Sequence, residues 1–152
     1  MMIYFLSKEG ESMNERTIAG IVKASGVSAG ELVLVHFWGE ASQGSVFFED
    51  LYWEETHCRD VTLTVADGEI SGSSCPEVAR RFAAMPRAER TVCELGLGMN
   101  PHVTELCGYP LPDEKMAGTF HIAVGANTMF GGRNEAADHV DFVGCGEVEV
   151  IA

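Results

Sequence analysis

The chain is poor in basic residues, has no long apolar run and has no cysteine pairing motif. Each of these absences removes a class of function. Ten Lys and Arg stand against 23 Asp and Glu, a formal charge of -13, so nucleic acid phosphates and anionic membrane surfaces are disfavoured as partners. No apolar stretch approaches the roughly 20 residues of a membrane span. Met1 to Leu6 is apolar, but no basic segment precedes it and no small-residue cleavage pattern follows, so it does not read as a signal peptide. A cytoplasmic protein is the expectation. The five cysteines, Cys58, Cys75, Cys93, Cys107 and Cys145, form no C-x-x-C motif and cannot all pair within one chain. Reduced, mostly buried thiols are expected. Repeats, low-complexity tracts and linkers are also lacking. With 152 residues the chain is expected to form a single domain over 1–152.

The surplus is in carboxylates, the residues that hard metal ions require. His139 and Asp141 are two residues apart in a segment that reads as a strand. Alternate strand residues share a face, so an imidazole and a carboxylate there can converge on one ion. His121 and Glu94 lie in other apolar, strand-like runs. Glu94, within Val92-Cys93-Glu94-Leu95-Gly96-Leu97, is a carboxylate that burial penalises unless it is paired, hydrogen-bonded or metal-bound. His121 reads either as a core histidine bonded to backbone or as a ligand, and Glu31 either as a solvent-facing strand-start residue or as a ligand. Strand alternation puts Cys93 on the face opposite Glu94.

The pattern of elements is mostly β. A helix is expected from Asn14 to Ser25, with Ile18, Ile21 and Val22 on its apolar face and Gly26 ending it. Strands are expected over Glu31 to Trp38, Ser45 to Glu49 and Val61 to Val65, the last turning through Ala66-Asp67-Gly68 into Glu69 and Ile70. Pro76 opens a second helix through about Met85, with Val78, Phe82 and Ala83 inward. Thr91 to Leu97, Gly118 to Val124 and His139 to Val150 complete the strands, and a glycine-containing loop runs from Asn127 to Ala137. Trp38, Trp53 and Phe37 read as core or interface aromatics. The fold class is α+β, a mixed and mostly antiparallel sheet with about two helices.

Five segments together carry a family resemblance. They are Glu94-Leu-Gly-Leu-Gly-Met-Asn-Pro101, Asp113-Glu-Lys-Met-Ala-Gly-Thr119, His121-Ile-Ala-Val-Gly125, Asn127 through Phe130-Gly-Gly132, and His139-Val-Asp141. In order and spacing they resemble the C-terminal, metal-bearing domain of the aminopeptidase T family and its leucyl-aminopeptidase-like relatives, among them 2,5-dihydroxypyridine 5,6-dioxygenase. The resemblance implies metal ligands at Glu31, Glu94, His121, His139 and Asp141, holding one or two divalent ions of Zn, Co, Mn or Fe. It places Glu114 near the site, as a general base or a residue supporting the ligands.

Three functions follow from the resemblance. The leading expectation is a metalloaminopeptidase-like hydrolase that acts on a small peptide or amide through a metal-activated water. The alternatives are an Fe(II)-dependent ring-cleaving dioxygenase, with His121, His139 and Asp141 facing the iron, and a catalytically silent metal-binding or assembly domain. The aminopeptidases have a tyrosine shortly after the histidine matching His121; here Ala126-Asn127-Thr128-Met129-Phe130 stands instead, which matches the non-peptidase branch. The relatives also carry a large N-terminal domain, so apolar surface is expected to be covered by self-association, in a homo-oligomer. The partner is expected to be a small molecule or peptide, with no nucleic acid and no membrane.

Overall fold

The computed structural model describes residues 2–3, 33–35, 43–146 and 149–150. The helix expected from Asn14 to Ser25, the candidate ligand Glu31, and Phe37 and Trp38 lie outside the described residues.

Two antiparallel sheets form the body. The first is a meander of β3 (Gly44–Trp53), β4 (Thr56–Ala66) and β5 (Glu69–Ser73). Asp67 and Gly68 link β4 to β5 with φ of 51° and 76°. Positive φ at both central positions defines the tight turn that an Asp-Gly pair favours. The second sheet has the order β2 (Val33–Val35), β6 (Val92–Leu97), β7 (Thr119–Gly125), β8 (His139–Cys145), with every neighbouring pair antiparallel. A short parallel pair joins β1 (Met2–Ile3) to β9 (Glu149–Val150). The strand expected from His139 to Val150 is therefore two strands, β8 in the sheet beside β7 and β9 paired with β1.

The helices are short. α1 (Pro76–Ala84) begins with a proline whose missing N–H matters least at a helix start. Val78 and Phe82, one turn apart, are its buried residues. Ala83, expected to face inward, is exposed, because the contact stripe of this short helix is only as wide as the i, i+4 pair. α2 (Arg87–Arg90) and α3 (Pro110–Asp113) are single turns, and a 3-10 turn covers Thr128–Phe130. The α+β class with mostly antiparallel sheets holds.

The core sits between α1, the three-stranded sheet and one face of the four-stranded sheet. The Trp53 ring lies tilted against Phe82 at 4.7 Å and meets Phe142 edge-on at 5.3 Å, while Phe48 lies 5.4 Å from Phe120. Each such side chain contributes about 1.5–3 kcal/mol through burial. Strand alternation sends Phe120, Ile122 and Val124 of β7 into this core with Phe142 of β8. The residues between them, His121 and Ala123 on β7 and His139 and Asp141 on β8, face the other side.

Candidate metal centre

Three adjacent strands build the site by register. Glu94 pairs with Ala123, which pairs with Asp141, so these three lie on one rung; Gly96 pairs with His121, and Gly125 with His139. Between the carboxylates of Glu94 and Asp141 the central strand places only the methyl of Ala123, which leaves room for them to converge. Gly96 does the same for His121. A Cβ on Gly96 would lie 1.9 Å from Cε1 of the His121 ring, so the imidazole rests directly on the backbone of β6. Only glycine admits that approach.

A bulge sets Glu94 in place. Val92 pairs with Val124 and Glu94 with Ala123, leaving Cys93 as the extra residue on β6. Simple alternation would put Cys93 on the far face. With the extra residue, its Sγ instead lies 3.7 Å from Nδ1 of His139. The thiol thus meets one side of the imidazole while Glu94 meets the other.

The ligand-type side chains converge closely. His121, fully buried, has Nε2 at 3.0 Å from Glu94 Oε1 and 3.9 Å from Glu114 Oε2. His139 Nε2 lies 3.3 Å from Glu94 Oε2 and 3.4 Å from Asp141 Oδ1. Two groupings have the compactness of an ion site: Glu94, His139 and Asp141, and Glu114, His121 and Asp141, with Asp141 common to both. They are consistent with one or two divalent metal ions held by nitrogen and oxygen donors. Among the described residues the two histidines fall in different groupings, since Glu94 stands between their Nε2 atoms.

The electrostatics favour a cation here. Burial pushes the Glu94 carboxyl up, but the His121 and His139 imidazoles facing it outweigh burial and hold it down at about 2. Asp141 foremost, then Cys93 and Glu94, push His139 up to about 12 against the opposing effect of burial. The imidazolium proton thus takes the part a dication would take amid these carboxylates. His139 Nδ1 lies 2.6 Å from the Ala126 carbonyl, which accepts its proton and leaves Nε2 aimed at the carboxylates. His121 Nδ1 is buried without a hydrogen-bond partner, and Glu94 Oε2, also buried, has the 3.3 Å ion-pair contact with His139 but no hydrogen bond. Such orphaned atoms are costly in a dry interior, and the residues present fit a metal ion that would engage this cluster.

The groupings open onto a cavity of about 490 Å³. Glu94, Glu114, His139 and Asp141 line its polar side; Tyr109, Pro110, Leu111 and Phe130 line the apolar side, and Lys115 completes it. The Phe130 ring meets His139 edge-on at 5.6 Å. Its loop is anchored by Asn134, whose Nδ2 donates to the Ala88 and Gly125 carbonyls at 2.7 Å. Of the six residues that sequence reasoning singled out, the structure brings Glu94, Glu114, His121, His139 and Asp141 together, and Glu31 lies outside the described residues. The same reasoning missed Lys115 and the apolar wall, which are brought to the site by loops that carry no periodic signal.

Fold and donor set together define an α+β protein with a metal-binding, enzyme-like site, and the ligand groupings support a metal-dependent catalytic function. The solved structure of 2,5-dihydroxypyridine dioxygenase from Pseudomonas putida matches the chain with a TM-score of 0.59 at 19% identity, over 74% of this chain and 38% of that one. At that identity the likeness establishes a shared fold, and the chain spans well under half the length of the protein it matches. No family profile matches the chain, and no curated protein matches it by sequence. The expectation of a hydrolase of the aminopeptidase or metalloprotease kind is corrected by this match, because the solved structure that shares the fold is an oxygenase. No helix among the described residues is long and apolar enough to cross a membrane.

Proposed function

We propose that the protein is a metal-dependent dioxygenase that opens the ring of a small hydroxylated aromatic or N-heteroaromatic compound. The observation that carries this reading is the convergence of Glu94, His139 and Asp141 on the floor of a cavity walled by Tyr109, Leu111 and Phe130. Charged oxygen and nitrogen donors below and apolar side chains around suit a flat ring that presents an oxygen downward. The fold shared with 2,5-dihydroxypyridine dioxygenase supports the same class of substrate.

Glu94, His139 and Asp141 would hold the ion at the cavity floor, and Glu114 and His121 would hold a second through the shared Asp141. Ferrous iron bound there would supply electrons to dioxygen and a positive charge for the ionised ring hydroxyl. The Ala126 carbonyl fixes the tautomer and direction of His139. With one ion bound at Glu94, His139 and Asp141, Glu114, which also lines the cavity, would take the proton that the hydroxyl gives up. The apolar side chains Tyr109, Leu111 and Phe130, which are exposed, would give the ring a surface to pack on.

The test is oxygen uptake. Protein loaded anaerobically with Fe(II) and mixed with 2,5-dihydroxypyridine in aerated buffer is expected to consume one oxygen per ring and to abolish the ring's ultraviolet absorbance. A chelator or the change of His139 to Ala should stop both. Iron-loaded protein that binds the ring compound yet consumes no oxygen would defeat the proposal.

A further inference from the structure

We propose that Lys115 determines substrate choice by holding a second oxygen of the ring, so that the cavity takes dihydroxylated rings in preference to monohydroxylated ones. This rests on the reading of the cavity as a ring-binding site. Every other charged residue lining that cavity is a carboxylate or His139, and Lys115 is its one primary amine. An ammonium has three N–H donors. Among the described residues its acceptor is Oε1 of Glu114, which leaves two donors for a ligand.

The backbone beneath this side chain is fixed. Asn100 N donates to the Lys115 carbonyl at 2.7 Å, and Lys115 N donates to the Pro112 carbonyl at 3.1 Å. The Asp113 carboxylate accepts from the N–H groups of Cys107 and Gly108 at 2.8 and 2.9 Å, clasping the loop before α3. Lys115 is therefore a long side chain on a rigid mount, with about a third of its side chain exposed. Lys115 lines the same cavity as Glu94, His139 and Asp141. A ring oriented by Phe130 and Leu111, with one oxygen toward the floor, can present its other oxygen to the amine. A divalent ion drawing on Glu114 through the grouping with His121 and Asp141 would weaken the hold of Glu114 on Lys115 and favour this exchange of partners. No proton or electron need move for the contact to form.

The experiment measures binding under nitrogen to Co(II)-loaded protein, by calorimetry, of 2,5-dihydroxypyridine and of 3-hydroxypyridine, which lacks one of the two oxygens. The wild type is expected to bind the diol more tightly. Lys115→Met should lower affinity for the diol about tenfold to a hundredfold, as loss of a charged hydrogen bond does, and leave 3-hydroxypyridine unchanged. Lys115→Arg should restore most of the preference. Metal content and thermal midpoint of each variant serve as folding controls. Equal loss for both probes, no loss for either, or failure of the wild type to bind either probe would overturn the proposal. A diol preference that depends on Lys115, in an iron-loaded protein that consumes no oxygen, would sustain this inference while removing the dioxygenase reading.

Discussion

The two faces of the four-stranded sheet are made by the same strands and differ in what alternation delivers to each. The core face carries Phe120, Ile122, Val124 and Phe142, large apolar side chains packed against Trp53 and Phe82. The other face carries four ligand-type residues, Glu94, His121, His139 and Asp141, separated by Gly96, Ala123 and Gly125. One face fills space and the other keeps it open. Apolar burial is concentrated on the filled face, and the open face holds a cluster of charges that face one another.

Emptying the open face is expected to have the largest effect. Changing both His139 and Asp141 to Ala should abolish stoichiometric metal binding, measured by elemental analysis after supplying Fe, Co, Mn or Zn. The metal-free variant should melt only slightly below the metal-free wild type, because loss of the His139 imidazolium is offset in part by removal of the Asp141 carboxylate beside it. A large drop in its melting temperature would show that the open face is structural. Next in size is the core face: Phe142→Ala should cost about 3–5 kcal/mol in urea unfolding. Gly96→Ala tests the space itself. Its Cβ would collide with the His121 ring, so metal affinity, followed by competition with a chelating dye, should fall about 10- to 100-fold, whereas the same change at Gly72, where a Cβ would meet only Thr64 at 3.9 Å, should do nothing to it.

The smallest effect is in pH. Glu94 is lowered from 4.5 to about 2, so its contribution to stability is present above pH 4.5 and is lost as pH falls toward 2. His139 is raised from 6.5 to about 12, so its contribution is present below pH 6.5 and is lost as pH rises toward 12. Metal-free protein should therefore be most stable between about pH 4.5 and 6.5, and Glu94→Gln should flatten the acid limb of that profile. An unchanged acid limb would mean that other carboxylates govern it.

Much of the open face was legible in the sequence because it rests on period two. His139 and Asp141 share a face by spacing alone, and a carboxylate in the apolar run around Glu94 called for a partner, which the structure supplies as His121 and His139. The family resemblance added Glu114, whose place beside His121 depends on a loop that spacing does not describe. Cys93 misled, since one unpaired residue in β6 reverses the face that alternation assigns. Lys115 and Phe130 were passed over because they reach the cavity through α3 and the loop after β7, and such contacts come from tertiary placement. The single long strand expected at the C-terminal end failed for a related reason: the division into β8 and β9 follows from their different partners, β7 and β1, which spacing along the chain does not show.

Asp141 belongs to both ligand groupings, and this makes the two seats thermodynamically one system. An ion in the first seat draws electron density from the carboxylate that the second must use, and two dications so close repel. Occupancy of either seat then lowers the affinity of the other by the same factor. A metal titration should resolve into a tight step and a weaker one, and the ambient metal concentration, acting through a single carboxylate, sets whether the protein carries one ion or two.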